Sequence, residues 1–399
     1  YTYMMDAVRK MTAGAVDLGE KPSVVSAIAK YHVTERARQV VNDGMDVIGG
    51  KGICLGPSNF LGRAYQQVPI GITVEGANIL TRSLIIFGQG AIRCHPYLLP
   101  EMQAAQNPDQ KQGLVDFDKA LFGHIGFTIK NGLRALWLGM TGSHFAAVNV
   151  DTAPEMRRYY QQLTRFSAAF AFMADISLLV LGGSVKRREK LSARLGDILA
   201  QMYLISCTLK RYEEEGRKIE DAPLAHWAIW DAMYKAQQAF DGVIANFPIR
   251  FIAAFLHRSI FPWGHPYVVP SDEVGHQVAK ALIAPSATRD RLTAECYLPL
   301  VESEPVGAIE LALKATLLAE PIEARIRAAE KEGRFDNNPL ANVRDIAVAA
   351  FEAGVISAAD YEIMKQRNRL RDIVVHVDDF PFDYGVASAH KAADSRMAA

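Results

Sequence analysis

The sequence has little cysteine and no excess of charge of either sign, and each deficit excludes a class of protein. Its 399 residues include four cysteines, which lie far apart and form no Cys-x-x-Cys pair, so we expect neither a disulfide framework nor a cysteine metal site. Lys and Arg number 44 in total, as do Asp and Glu. Without a net charge, the protein has no overall field that would attract nucleic acid. We therefore expect a reducing cytoplasm and no nucleic-acid partner.

The sequence also lacks the alternation of apolar and polar residues that is typical of half-buried strands. We find no run of this kind that is long enough to build a sheet. No secretory signal is visible. Because the chain begins at Tyr1, within an apolar helical pattern, we expect that an N-terminal part of the protein lies upstream of this sequence.

Helical periodicity is the dominant pattern. Between residues 25 and 48, apolar residues recur at steps of three and four, which places them on one face of a long helix. A Pro-Ser pair provides the start signal, and Gly49 with Gly50 the stop signal. Residues 53–72 are rich in Gly and Pro and are interpreted as a connecting loop, after which a helix resumes near Asn78. This pattern matches half of an antiparallel helical bundle.

A second, mostly helical region follows the polar residues 103–113, which we interpret as a linker. Residues 191–211 carry apolar residues at helical spacing. Proline-rich breaks occur at residues 261–270 and 337–339. Together these patterns predict an all-α fold.

One apolar run, at residues 166–185, is about long enough to cross a bilayer. Its only charged residue is Asp175, and the basic residues Lys186, Arg187, Arg188 and Lys190 follow it, as is typical of a spanning segment with a positive flank. The run is also rich in small residues and contains a Gly-Gly pair near its end, as expected of a buried bundle helix. We predict the buried helix, and leave open a peripheral membrane contact somewhere in the C-terminal region.

Glu75 is the most informative candidate for chemistry, because it is a lone carboxylate in the apolar and neutral run 71–81. Removing a carboxylate from water favours its protonated form, and this suits a base that abstracts a proton from carbon near neutral pH. Gly76 follows at once and would let a substrate approach the backbone closely. On spacing alone, a solvated Glu at a turn before a helix is the better explanation.

A resemblance to a known family favours the catalytic interpretation. Residues 44–53 read Gly-Met-Asp-Val-Ile-Gly-Gly-Lys-Gly-Ile, and residues 75–82 read Glu-Gly-Ala-Asn-Ile-Leu-Thr-Arg. The pair resembles the C-terminal signature of acyl-CoA dehydrogenases, in which Q-x-x-G-G-x-G precedes E-G-[TA]-x-x-x-x-R. The sequence of residues 74–96 resembles that of the large bacterial fatty acyl-CoA dehydrogenases of β-oxidation, and the resemblance covers essentially the whole chain. Asp46 stands where the family usually has Gln, and Ala77 where it often has Thr.

The resemblance implies an acyl-CoA dehydrogenase C-terminal helical bundle at residues 1–104, incomplete at its N-terminus, and a bacterial-type C-terminal extension at residues 105–399. It implies FAD-dependent dehydrogenation of fatty acyl-CoA to trans-2-enoyl-CoA in β-oxidation, with Glu75 as the catalytic base and Gly76 as a substrate-binding residue. The cofactor-binding residues that it implies are Asp46, Gly49, Gly50, Gly52 and Ala77. In the family the glycine loop reaches the flavin of a neighbouring subunit, which implies a homo-oligomer.

Two alternatives stay open at this point. The reduced flavin would pass its electrons to an electron-transfer flavoprotein or a similar acceptor, but an acyl-CoA oxidase, which uses oxygen, is the alternative enzyme. Outside enzymes, the alternative is a helical assembly or membrane-docking module in which Glu75 is vestigial. Since most of the flavin site is expected upstream of Tyr1, the 399-residue chain alone is expected to be inactive.

Three smaller expectations complete the sequence analysis. The protein is expected in the cytoplasm, with peripheral contact at the inner membrane left open. No metal site is expected, because the adjacent Asp378 and Asp379 lack a third ligand at useful spacing. Arg82 is interpreted either as an ion-pairing residue that holds the Glu75 loop or as a solvated helix residue.

Overall fold

Helices dominate the residues that the computed structural model describes, which are 1–335 and 346–380. No strand occurs among these residues, and the prediction of an all-α fold is confirmed. The α-helices are α1 (Thr2–Asp17), α2 (Ser23–Ile48), α3 (Gly62–Thr73), α4 (Asn78–Leu80), α5 (Gly90–Cys94), α6 (Leu98–Ala105), α7 (Gln110–Met140), α8 (Arg157–Leu181), α9 (Glu189–Glu214), α10 (Ala222–Ala245), α11 (Arg250–Ile260), α12 (Asp272–Ile283), α13 (Ala287–Thr293), α14 (Pro305–Lys331), α15 (Ile346–Glu352) and α16 (Ala358–Val375). Short 3-10 helices occupy Gly49–Gly52, Gly182–Arg187 and Ile219–Asp221, and a π-helix, Thr81–Gln89, joins α4 to α5. The break predicted at residues 337–339 lies outside the described residues.

The chain forms two compact units that are not consecutive in sequence. The first contains residues 1–37 and 69–294, and the second contains residues 38–68 and those from 295 onward. This division reflects which residues pack together. It does not test the domain boundary that the family resemblance implies after residue 104, and that boundary stays a prediction.

The core of the first unit is built around α9, which packs against α10, α8, α1 and the π-helix. Leu195, Ile198 and Ile205 of α9 are completely buried, because neighbours surround this helix on several sides. The rings of Phe166 in α8 and Phe240 in α10 stack with their centroids 5.9 Å apart. The helix predicted at residues 191–211 is thus confirmed, and it lies at the centre of the unit.

The second unit has a smaller core, in which α14 and α15 each pack against α16. Ile322, Ile326 and Met364 are buried there. α16 begins with a capping box, in which the Ser357 hydroxyl accepts from the Asp360 backbone N–H and the Asp360 carboxylate accepts from the Ser357 N–H. This arrangement satisfies two backbone donors that a helix start otherwise leaves free.

The connecting loop predicted at residues 53–72 is wrong in its second half. α3 occupies Gly62–Thr73, although Pro69 lies inside it. The side-chain oxygen of Asn59 accepts from the backbone N–H groups of Leu61 and Gly62, at 3.0 and 2.8 Å. This cap stabilises the start of the helix, and its effect outweighs the Gly and Pro signals on which the prediction rested.

The linker predicted at residues 103–113 is shorter than expected. α6 continues to Ala105, and α7 starts at Gln110. Asp109 caps α7 by accepting from the backbone N–H groups of Lys111 and Gln112. The polar composition of this stretch therefore reflects a helix cap more than a flexible connection.

α8, which contains most of the apolar run 166–185, belongs to the core of the first unit. By length and composition alone, Arg157–Arg187 could cross a membrane, and 44% of its most apolar window is buried inside the protein. The Asp175 carboxylate is buried within α8 and accepts hydrogen bonds from His95 and Thr128. A buried carboxylate with partners suits a packed core, whereas the absence of a membrane span stays a prediction.

His32 in α2 couples the stability of the first unit to pH. Burial lowers the pKa of His32 well below its usual value, and the guanidinium of Arg36 lowers it further. Arg36 donates to the ring Nδ1 at 2.8 Å, and the buried Nε2 has no hydrogen-bond partner among the described residues. Burial also lowers the pKa of His226, so this histidine, like His32, makes the folded protein less stable at low pH.

We expect the protein to lose stability as the pH falls below about 6.5, because the unfolded chain binds a proton there that folded His32 does not bind. Urea titrations should show the free energy of unfolding decreasing by up to about 1.4 kcal/mol per pH unit through this group. His32→Asn should flatten the slope, whereas the same change at the exposed His276 should not. A slope that is equal in both variants would contradict the prediction.

Candidate functional site

Residues 74–77 form a tight turn between α3 and α4, and Glu75 lies within it. The φ angle is 54° at Glu75 and 94° at Gly76, so both residues adopt the left-handed region. This conformation costs little for Gly76 but is unfavourable for Glu75, which has a Cβ atom. Ala77 returns to φ −52° and ψ 138° as the residue that starts α4. A left-handed residue other than glycine often marks a functional position.

Lys30 of α2 holds this turn together. Its ammonium donates to the carbonyl oxygen of Gly76 at 2.8 Å, to the side-chain oxygen of Asn78 at 2.6 Å and to the carbonyl oxygen of Ile72 at 3.3 Å. These three acceptors match the three donors of an ammonium group. The backbone on both sides of Glu75 is therefore tied to one charged side chain.

Asn78 provides the second connection between the turn and α2. It is only 3% exposed, and its amide donates to the Thr34 hydroxyl and the Glu35 carboxylate at 2.9 and 2.8 Å. Neither Lys30 nor Asn78 belongs to the motifs that predicted the functional residues. A polar residue at the start of a helix is a capping signal, and it could have drawn attention to Asn78, whereas no local pattern distinguishes Lys30.

Arg82 does not pair with the Glu75 turn. Its guanidinium makes two hydrogen bonds with the Asp197 carboxylate of α9, from Nε at 2.8 Å and from the terminal nitrogen at 2.5 Å. This bonding raises the pKa of Arg82. The interpretation of Arg82 as a solvated helix residue is therefore wrong. Arg82 is an ion-pairing residue, but its partner is in α9, and it anchors the π-helix that follows the turn to the central helix of the unit.

The apolar surroundings expected for Glu75 are absent among the described residues. Glu75 is exposed, and so are its apolar neighbours Val74, Ile79 and Leu80. The apolar residues next to Glu75 in sequence are themselves at the surface and do not enclose it. The roles predicted for Glu75, Gly76 and Ala77 stay predictions, but these residues do lie together on one turn.

The glycine loop belongs to the second unit and ends α2. Gly49 adopts φ 57°, the left-handed conformation that commonly stops a helix. A Cβ atom at Gly49 or Gly50 would meet nothing within 4 Å. Their backbone is thus open to a ligand, as the predicted cofactor contact requires.

Gly52 and Asp46 differ from the two open glycines. Gly52 is buried, and a Cβ atom there would lie 3.0 Å from a carbon atom of Met45. Its carbonyl oxygen already accepts from Asn59 at 2.8 Å. Asp46 is exposed on the last turns of α2. Cofactor contact at all four positions stays a prediction, and the free space is at Gly49 and Gly50.

A polar cluster of partly buried side chains around the buried Asp175, which no sequence pattern predicted, lies in the first unit. The Nε2 atom of His95 is 2.9 Å from Asp175, and that of His124 is 3.5 Å from the same oxygen. His124 also contacts Glu101 through Nδ1 at 2.8 Å, and the Thr128 hydroxyl donates to Asp175 at 2.7 Å. His95 therefore takes part in a side-chain cluster around the Asp175 carboxylate.

The potential ligand atoms of His95, His124 and Asp175 lie within 4.8 Å of one another, a spacing that could hold a metal ion. However, Nδ1 of His95 is 3.2 Å from the backbone N–H groups of Tyr97 and Leu98. It must accept from these donors, so the ring proton is on Nε2 and points to Asp175. Because Nε2 then has no lone pair for a metal, the geometry favours a hydrogen-bonded cluster that joins α6, α7 and α8.

Two family models match the chain. The model described as acyl-CoA dehydrogenase, C-terminal domain, matches residues 2–87, which include the glycine loop and the Glu75 turn. The model described as acyl-CoA dehydrogenase, C-terminal, bacterial type, matches residues 92–380, which include the histidine cluster. No solved structure matches the chain significantly. The resemblance that the two sequence motifs carried is confirmed.

Replacing Lys30 by Met should loosen the Glu75 turn, because the acceptors at Gly76 and Asn78 would lose their donor inside a partly buried site. We expect the free energy of unfolding to fall by about 1–3 kcal/mol, and amide hydrogen exchange to accelerate at residues 72–78. The same change at the exposed Lys21 is the matched control. Equal stability and equal exchange in both variants would show that Lys30 does not hold the turn.

Proposed function

Because the chain belongs to the acyl-CoA dehydrogenase family, we propose that it catalyses α,β-dehydrogenation of fatty acyl-CoA thioesters to trans-2-enoyl-CoA in β-oxidation. Members of this family are FAD-dependent oxidoreductases that act on acyl-CoA. The observation that carries the proposal is the left-handed conformation of Glu75 and Gly76 on a turn that Lys30 ties to α2.

Glu75 is the general base in this proposal. Its carboxylate takes the proton from Cα of the thioester, while the hydride leaves from Cβ. FAD, when bound, accepts that hydride. The strained backbone and the hydrogen bonds of Lys30 to the turn hold the carboxylate in one position before the substrate arrives. Since Glu75 is exposed in the chain itself, the bound acyl group and the cofactor would exclude water from it.

Gly76 contacts the substrate in this proposal. Its carbonyl oxygen is occupied by Lys30 and by the Thr81 hydroxyl, which fixes the orientation of the peptide. The absence of a side chain lets the thioester come close to the backbone, and a backbone N–H there would polarise the thioester carbonyl. Ala77, at the start of α4, would contact the cofactor.

Gly49 and Gly50 would lie against FAD, because their backbone is open and Gly49 adopts a conformation that favours glycine. We assign Gly52 and Asp46 to the same loop, with Gly52 packing the loop against α2. A loop of this kind would reach the flavin of a neighbouring subunit in a homo-oligomer.

The partners in this proposal are a fatty acyl-CoA substrate and an electron-transfer flavoprotein or a similar acceptor that reoxidises the flavin. We place the reaction in the cytoplasm, with peripheral contact at the inner membrane. The domain division proposed for the chain is the helical bundle at residues 1–104 and the bacterial-type extension at 105–399.

Glu75→Gln, introduced into an FAD-loaded enzyme that contains this chain, should lower turnover by about 10²–10⁴-fold, the usual effect of losing a general base. Flavin content and helicity should be unchanged, because the side chain is exposed and keeps its size. Glu20→Gln, also at an exposed position, is the control and should have full activity. Retention of more than about a tenth of the wild-type rate would remove Glu75 from this role.

Gly50→Val should reduce the amount of bound FAD per subunit, measured by absorbance, before it reduces helicity, because the added side chain fills open space beside the loop. Gly275→Val in α12 is the matched control, since a Cβ atom there also meets nothing within 4 Å. If Gly50→Val keeps its full flavin content, the loop serves only to end α2.

A further inference from the structure

The longest α-helix of the described chain, α7, has apolar residues on two opposite faces. Its inner face, which includes Ala120, Asn131, Ala135 and Leu138, is buried where the helix packs against α6 and α8. A helix in a solvated protein normally has polar residues opposite its buried face. The opposite face of α7 instead carries large apolar side chains.

We call this opposite side the outer face of α7 and define it by Phe122, Ile129, Leu133 and Met140, which follow one another at steps of seven, four and seven residues. All four are exposed, and Phe122 retains 69% of its free surface. This spacing puts them on one side of the helix, about half a turn away from the buried residues. Within the described chain the outer face therefore has no packing partner.

α11 and the loop after it extend the apolar surface at one end of α7. The exposed indole of Trp263 donates to the carbonyl oxygen of Met140 at 3.0 Å. A Cβ atom at Gly139 would lie 2.8 Å from Pro262, so the two segments are in close contact. Phe251 and Phe255 of α11 are also exposed. The outer face and these residues thus belong to adjoining elements.

The charge of these two segments is of one sign, although the whole chain has no net charge. Residues 119–150 and 242–271 contain no Asp or Glu. They contain five exposed cationic residues: Lys119, Lys130, Arg134, Arg250 and Arg258. In α7 the acidic side chains, Asp116 and Asp118, are confined to the N-terminal turns. The surface thus combines exposed aromatic and aliphatic groups with positive charge.

We propose that the outer face of α7, with α11 and Trp263, docks onto the surface of an anionic lipid bilayer. Apolar side chains bordered by Lys and Arg bind in the plane of such a surface, where the apolar groups enter the acyl boundary and the cations contact headgroups. Trp137 and Trp263 are both exposed, and Trp is enriched at the boundary between membrane and water.

Charge also decides between a bilayer and a second copy of the chain. A symmetric dimer through this face would bring the same five cations of each copy together, with only the exposed Asp118 carboxylate, one turn before Phe122, to offset them, and like charges oppose such contact. Anionic headgroups supply the missing negative charge. In this arrangement α7 lies parallel to the membrane surface and does not cross the bilayer, because its inner face is packed against α6 and α8.

Flotation of the 399-residue chain with phospholipid vesicles tests the proposal. We expect binding to phosphatidylcholine vesicles that carry about one-third phosphatidylglycerol, weaker binding to phosphatidylcholine alone, and loss of binding at high salt. The double variant Phe122→Asp, Leu133→Asp should bind at least ~10-fold more weakly. Its matched control is Leu18→Asp, Tyr297→Asp, which changes two exposed apolar residues elsewhere by the same charge.

The cations are tested separately by Lys130→Gln, Arg134→Gln, with Lys21→Gln, Arg63→Gln as the control at exposed positions. The first pair should weaken binding to the anionic vesicles several-fold, and the control should not. Light scattering of each variant reports the oligomeric state. A face variant that dissociates an oligomer but binds vesicles normally would identify a second copy as the occupant and overturn the proposal.

Absence of vesicle binding by the wild-type chain, or equal loss in the control variants, would also overturn it. The proposal does not depend on the dehydrogenase assignment, and Glu75→Gln separates the two. In the 399-residue chain this variant should bind vesicles as the wild type does, although the same change lowers turnover in an FAD-loaded enzyme that contains this chain. If Glu75→Gln keeps its turnover, the catalytic proposal fails while the docking result stands.

Discussion

The burial of α9 on several sides is the constraint on which the rest of the first unit depends. Because α9 packs against α1, α8, α10 and the π-helix, it needs apolar residues on several sides. Contact with α9 in turn determines the positions of these four elements. Gly196 contributes by allowing close approach, since a Cβ atom there would lie 3.4 Å from the backbone oxygen of Arg82. Asp197 then binds the guanidinium of Arg82. The π-helix after the Glu75 turn is thereby held by the core, and the turn inherits its position from that attachment.

Two polar side chains within this framework, Lys30 and Asp175, have specific structural roles. The ammonium of Lys30 replaces the regular backbone hydrogen bonds that residues 72–78 cannot make with one another. In the same way, the carboxylate of Asp175 joins helices that apolar packing alone would let slide. Because hydrogen bonds are directional, these contacts fix how the segments they join are oriented, and at the Glu75 turn this is done by Lys30. The energetic cost of a left-handed Glu75 is offset by this framework rather than by any contact of its own side chain.

The family assignment and the electrostatics of the surface concern different properties of the chain. The family assignment rests on two family models and on short motifs around Gly49 and Glu75. The electrostatics of the surface depend on an uneven distribution of charge: the chain has equal numbers of acidic and basic residues, but α7 and α11 present a cationic and apolar surface. Net charge describes the field at long range, whereas contact with a surface depends on the groups within a Debye length. A neutral sequence is therefore compatible with local attraction to an anionic surface.

The sequence by itself determined the fold class, the family and the positions of the long helices, because helical periodicity and glycine signals are local and strong. α2 begins at Ser23 and ends before Gly49 as its pattern predicts, and α9 matches the predicted helix. Only the tertiary structure decided that residues 62–73 are helical despite Pro69, that Arg82 binds Asp197 and that His95 contacts the buried Asp175. It also placed Glu75 at the surface, contrary to its apolar sequence context. Residues that contact each other but lie tens of residues apart in sequence cannot be recognised from local composition, because their proximity depends on how the helices pack.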